Sequence, residues 1–186
     1  MPRRPIQFEQ IKEERKLSIL ESALPLFAIH GVKSVSIDMV SEKAKCSHGL
    51  VYHYFKKVEQ IYDELIDSES YKELAKEFTI DLNESAYPQI EKIVRLFLSI
   101  VDDSKETIAF TMLLLSDESK KSFYSSFLKL ILKGQNDREV TGGKPEDIAN
   151  CFIYLIKGLY QTKLNEKHPI IKVPSFDNVM NIFRRK

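Results

Sequence analysis

Ser36-Ile-Asp-Met-Val-Ser-Glu-Lys-Ala-Lys-Cys-Ser-His-Gly-Leu-Val-Tyr-His-Tyr-Phe-Lys-Lys57 is the stretch whose reading decides the fold. Ile37, Val40 and Ala44 recur at spacings of three and four, so they share one face of a helix. Val51 and Phe55 repeat the four-residue spacing on a second segment. Ser36 and Ser47 each stand where a helix would start, and a serine oxygen there accepts a hydrogen bond from a free first-turn amide. Spans of about eight and nine residues around a three-residue turn have the size of a helix-turn-helix. The outer face of the second helix carries Ser47, His48, Gly49, Leu50, Tyr52 and His53, and Lys56 and Lys57 follow at once. Short donors near a helix N-terminus reach base edges and phosphates when the helix lies in a major groove. An ordinary amphipathic hairpin exposed on one side has the same pattern, and periodicity does not separate the two.

Composition narrows the class. A length of 186 residues fits one domain or two small ones, and 43% hydrophobic with 30% charged residues supplies ample apolar surface for a core. No glycine occurs between Gly49 and Gly134, which favours helix over turn-rich β structure. The net charge is only +1, but it is unevenly spread. Residues 1–60 hold ten Lys/Arg against seven Asp/Glu, and the remainder holds 18 against 20, an asymmetry whose sign suits a DNA-contacting N-terminal part. Met1-Pro-Arg-Arg-Pro-Ile is a short basic tail. Cys46 and Cys151 lack C-x-x-C spacing, so they suggest neither a disulfide framework nor a metal knuckle, and they fit a reducing cytoplasm. Cys46 reads as a small buried turn residue rather than a redox sensor. No run of 18 apolar residues and no signal-peptide core is present, so a cytoplasmic location without membrane contact is expected.

In chain order the spacing predicts an all-α protein of about nine helices. The first runs from about Glu9 to His30, with Ile11, Leu17, Leu20, Leu24 and Phe27 along its length, a kink near Glu21 from the interior Pro25, and Gly31 as a left-handed cap. After the hairpin a single long helix is expected over 57–78, with a polar middle at Asp67-Ser68-Glu69-Ser70. Further helices are expected over 88–102, 104–115, 117–133, 145–166 and 176–185, with loops at 134–144 and 168–174. The segment 104–115 is apolar on most sides, and Pro145-Glu146-Asp147 opens its helix with proline in the first turn and acids against the dipole. Domain boundaries follow as 1–57 and 58–186.

The run from Ile19 to Ile61 resembles the DNA-binding domain of the TetR/AcrR family of bacterial transcriptional regulators. Ala23-Leu24-Pro25-Leu26-Phe27-Ala28-Ile29-His30-Gly31 is similar to the end of that family's first helix and its closing glycine. Ser36-Ile37 and Val40 resemble the start of the second helix, and Ser47-His48-Gly49-Leu50-Val51-Tyr52-His53-Tyr54-Phe55 the recognition helix. Glu59-Gln60-Ile61 resembles the opening of helix four. Three positions depart from the pattern: Lys45 where glycine is usual in the turn, Val58 where lysine is favoured, and Val35 where threonine is common. A lysine held at positive φ would cost on the order of 1 kcal/mol.

The resemblance implies a homodimeric regulator, most simply a repressor released from a palindromic operator by a small apolar ligand. Ser47, His48 and Leu50 would face bases, with Gly49 beside them, while Ser36, Tyr52, His53 and Lys57 would hold phosphates. It further implies dimerisation through the helices over 145–166 and 176–185. Phe78, Phe97, Phe110, Met112, Tyr124, Phe127 and Tyr154 would line an effector pocket, although an aromatic set at helical spacing also reads as plain core. The larger domain shows no catalytic constellation, phosphate loop or metal-ligand spacing, so no enzyme activity, cofactor or metal is expected. Two rivals stay open: an all-helical ligand-binding protein whose hairpin is only structural, and an interaction module that no longer binds DNA.

Overall fold

The computed structural model describes residues 5–116, 122–164 and 172–184, with side chains from residue 8 onward. Among these residues there are ten α-helices, one 3₁₀ turn and no strand. The chain falls into two compact units, Met1–Lys72 and Glu73–Lys186.

The first unit comprises α1 (Pro5–His30), the 3₁₀ turn Val32–Ser34, α2 (Ile37–Lys43), α3 (His48–Tyr54), α4 (Val58–Asp67) and the start of α5 (Glu69–Glu77). α1 continues unbroken through Pro25. An interior proline costs about 3 kcal/mol. Ala23, Leu24, Phe27 and Ala28 are buried on both sides of it, and each large apolar side chain returns roughly 1.5–3 kcal/mol, so burial outweighs the lost helical bond. Gly31 then closes the helix by donating to the Phe27 carbonyl at 2.9 Å. Its φ of 76° is positive, as a glycine cap requires, but its ψ of 153° is extended rather than left-handed helical, a region open essentially only to glycine.

Ile61 and Leu65 of α4 are buried with α1, Phe27 meets Tyr62 edge to face at 5.9 Å, and Lys16 pairs with Glu64. α4 therefore belongs to the first unit. The division falls after Lys72, where the sequence reading had placed it after Lys57. The single helix expected over 57–78 is two helices, which makes ten rather than about nine. Ser68 parts them with a ψ of 149°. Its hydroxyl donates to the Leu65 carbonyl at 2.6 Å and accepts from the Tyr71 amide at 3.3 Å, so one side chain ends α4 and caps α5.

The second unit holds α6 (Ala86–Ile100), α7 (Lys105–Ser116), α8 (Phe123–Asn136), α9 (Pro145–Leu164) and α10 (Phe176–Met180). Every residue of α7 from Ile108 to Leu115 is buried, as its all-round apolar sequence predicts. α8 begins at Phe123; residues 117–121, where the sequence reading began that helix, lie outside the described residues, as do 165–171 and Arg185. Phe97 sits among Phe78, Phe123 and Phe152 at ring distances of 4.6, 5.4 and 5.5 Å, and Phe127 and Phe183 extend the cluster. The buried Tyr160 hydroxyl donates to the Phe97 carbonyl at 2.8 Å, one of the last four carbonyls of α6 that no helical amide reaches. Burial pushes this phenol up, so it stays a neutral donor.

The start of α6 has a partner from far along the chain. One Glu139 carboxylate oxygen accepts from the Tyr87 amide at 2.8 Å and from the Ser85 hydroxyl at 2.9 Å. The close approach this needs is made at Gly134, where a Cβ would meet Val140 Cγ2 at 2.5 Å and Ala86 Cβ at 3.0 Å. The Tyr87 amide first, then the Ser85 hydroxyl, hold the Glu139 carboxyl below the usual carboxylate range. A carboxyl depressed in the native state adds stability above its unfolded pKa and loses it as pH falls through the native value. Glu139→Gln is therefore expected to melt at a lower temperature than wild type at neutral pH. The gap should close below about pH 4. Thermal melts of both proteins across that range test it, and a gap independent of pH would rule out the carboxylate cap.

Candidate nucleic-acid interface

α2 and α3 are seven residues each and are joined by residues 44–47. Ile37, Val40 and Ser41 of α2 and Val51 of α3 are buried, with Phe55 just beyond, so these residues anchor the pair inward. Ser36 Oγ accepts from the Met39 amide and Ser47 Oγ from the Leu50 amide, both at 3.2 Å. Each serine thus spends a lone pair on its cap and keeps its hydroxyl proton, which can be donated to a phosphate oxygen.

Most of the expected contact residues are exposed. Ser36, Ser47, His48, Gly49, Tyr52, His53 and Lys57 are exposed, and Leu50 is half-buried. Tyr52 leaves 47% of its surface in solvent. His48 Nδ1 lies 3.2 Å from Asp38 Oδ1, an acid of α2 that the sequence reading did not place there. Lys56 and Lys57 differ in their engagements. The Lys56 ammonium donates to the Tyr52 carbonyl at 2.7 Å. Lys57 makes no described ion pair. Gln60 Oε1 accepts from the amides of Lys56 and Lys57 at 2.6 and 3.3 Å, which fixes the opening of α4. A glutamine three residues past an N-cap is a legible signal for this.

The turn carries strain. Lys45 has a φ of 50°, in the left-handed region, and its amide donates to the Glu42 carbonyl at 3.1 Å. The next amide, that of Cys46, donates to the Ser41 carbonyl at 3.0 Å. Cys46 is half-buried and burial pushes its thiol up, which fits a packed turn residue rather than a reactive thiolate.

The seven residues expected to line an effector pocket fall into three environments. Phe78, Phe97, Phe110, Met112 and Phe127 are buried, and the Phe78 and Phe127 rings belong to the cluster around Phe97. Tyr124 is half-buried and its hydroxyl lies 3.0 Å from Asn150 Oδ1. Tyr154 is 69% exposed and cannot line an interior pocket with the others. It stands on an outer stripe of α9 with Cys151, Gly158 and Gln161 exposed, and Leu155 and Thr162 half-buried. Spacings of three and four put these on one face, and none carries a charge. α10 is only five residues long; Val179, Met180 and Phe183 turn into the unit's own interior, while Phe176 and Ile182 are half-buried.

All-helical among the described residues, with an N-terminal unit that presents such a hairpin, the structure is that of a helix-turn-helix protein. The family described as bacterial regulatory proteins, tetR family, matches residues 19–65, which run from the buried half of α1 into α4. The uncharacterized HTH-type transcriptional regulator YhgD of Bacillus subtilis (strain 168) is 30% identical over 95 residues, 50% of this chain and 47% of that one. The match thus spans about half the length of that curated relative. Among solved structures, a mutant HlyIIR protein superposes with a TM-score of 0.63 at 16% identity, covering 91% of this chain and 93% of that one. HlyIIR, a hemolysin II transcriptional regulator, does so at 0.55 and 14% identity, covering 78% and 87%. At such identities these structures show the shared fold. Residues 19–65 are thus similar to the DNA-binding region of bacterial regulatory proteins of the tetR family.

A left-handed residue with a Cβ costs roughly 1–2 kcal/mol, and glycine's greater freedom in the unfolded chain takes back about 0.5–1 kcal/mol. Lys45→Gly is therefore expected to stabilise the first unit by about 0.5–1 kcal/mol. Chemical denaturation measures this; a midpoint equal to or below that of wild type would show that the turn is not strained.

Proposed function

We propose that this chain is a homodimeric, sequence-specific DNA-binding regulator acting as a repressor. The observation that carries the reading is the outer face of α2 and α3, where hydroxyls, imidazoles and a lysine are exposed on two helices anchored inward. Base reading is assigned to Ser47, His48 and Leu50, with Gly49 allowing close approach. Ser36, Tyr52, His53 and Lys57 would contact phosphates. Among the described residues no helix is long and apolar enough to cross a membrane, and the site of action would be the cytoplasm, with the DNA.

The uncharged stripe of α9 supports dimerisation through that helix. Leu132 of α8, 48% exposed, adds apolar surface on the neighbouring helix that packs against α9. This reading replaces α10 with α8 as the second interface helix. A two-fold dimer would present two hairpins to the two halves of a palindrome. The effector would be a small apolar molecule that enters by parting the ring cluster around Phe97. It can release DNA only through different affinities for the bound and released arrangements.

Selection of duplexes from random-sequence DNA at low salt tests the reading, and no enrichment of a palindrome would sink it. On the enriched duplex, His48→Ala should relax preference at one base position at a cost of about 1–3 kcal/mol. Tyr52→Phe should instead weaken binding to all sequences alike. Equal effects across sequences from both variants would overturn the division of roles. Tyr154→Glu would place charges opposite each other across the two-fold axis, and light scattering should then find monomers at concentrations where wild type is dimeric. A dimer that survives this change would place the interface elsewhere.

A further inference from the structure

The strained turn residue carries a charge, and we infer that Lys45 is a phosphate-anchoring residue whose ammonium engages the DNA backbone beside the recognition helix. This inference rests on the DNA-binding reading above. Three observations lead to it. Lys45 is exposed and occupies a backbone conformation that an L side chain rarely adopts, in a turn that glycine would satisfy without strain. Residues kept in such conformations cluster at functional sites. Second, its ammonium makes no ion pair among the described residues, whereas Lys16 is paired with Glu64 and Lys56 is bonded to the Tyr52 carbonyl. Third, it stands two residues before Ser47, the cap of α3.

That position sets its reach. Two residues span at most about 7 Å, so the Lys45 Cα lies within that distance of the end of α3 that reads bases. The major groove is about 12 Å wide, so a residue at its centre is about 6 Å from either phosphate wall. A lysine's flexible four-carbon stem covers what remains, and its compact ammonium accepts any phosphate geometry. A glycine there would relieve the turn and leave the groove wall without this contact. Tension between stability and binding at one residue follows directly.

Three full-length variants separate charge from backbone. Lys45→Arg keeps both charge and strain, Lys45→Gln keeps the strain alone, and Lys45→Gly keeps neither. Binding is measured against the duplex enriched by wild type and against a mixed-sequence duplex, as a function of salt. Lys45→Gln and Lys45→Gly should both bind roughly tenfold more weakly for each chain bound at about 0.1 M salt. Their slope of log K against log salt should be shallower by about 0.9 per chain on both duplexes. Lys45→Arg should keep the wild-type slope, and Lys45→Gly should bind more weakly although it is the more stable protein. If wild type binds and the Gln and Gly variants match its affinity and slope, this inference is wrong and the DNA-binding reading stands. If wild type binds neither duplex, both fall together.

Discussion

Seven residues are too few to hold a helix in water, and both helices of the hairpin are seven residues long. Their stability must come from the apolar residues they turn inward. Ile37, Val40, Val51 and Phe55 serve this purpose with Ile19, Ala23, Leu24 and Phe27 of α1 and with Ile61 and Leu65 of α4. Because those positions supply the burial, the opposite positions are released from packing. His48, Tyr52 and His53 are exposed for that reason. The local ends are held by side chains rather than by length: Ser36 and Ser47 cap the two helices, and Gln60 ties down the start of the next.

The second unit meets the same physical demand with aromatic rings and distant polar partners. Its helices are longer, yet their ends still leave carbonyls and amides without helical bonds. Tyr160 satisfies one such carbonyl from the far end of α9, and Glu139 satisfies an amide across 52 residues of sequence. Rings packed at 4.6–5.5 Å around Phe97 fill the interior of the unit.

Much of this was legible because helix periodicity and helix-start chemistry are local. The α2 and α3 faces, both serine caps, the buried α7 and the glycine closure at Gly31 follow from spacings of three and four and from single side-chain roles. The sequence also marked Lys45 as a misfit in a turn, and the backbone there is left-handed. Other features depended on what lay across the fold. The polar middle at 67–70 was visible, but its outcome turned on Ser68 bonding in both directions, which no pattern of hydrophobicity reports. Tyr154 looked like Tyr124 as an aromatic residue on an apolar helix; only the position of α9 against α7 and α8 sends it outward.

By itself the sequence determined the helical class, the helix-turn-helix and the residues on its outer face, since each depends on neighbours within about four positions along one helix. Tertiary structure alone decided the rest. It assigned α4 to the first unit, turned Val179, Met180 and Phe183 inward, paired Asp38 with His48 and brought Glu139 to the start of α6. The reason is that which face of a helix is buried, and which distant group completes its ends, is set by the surface packed against it and not by the helix's own sequence.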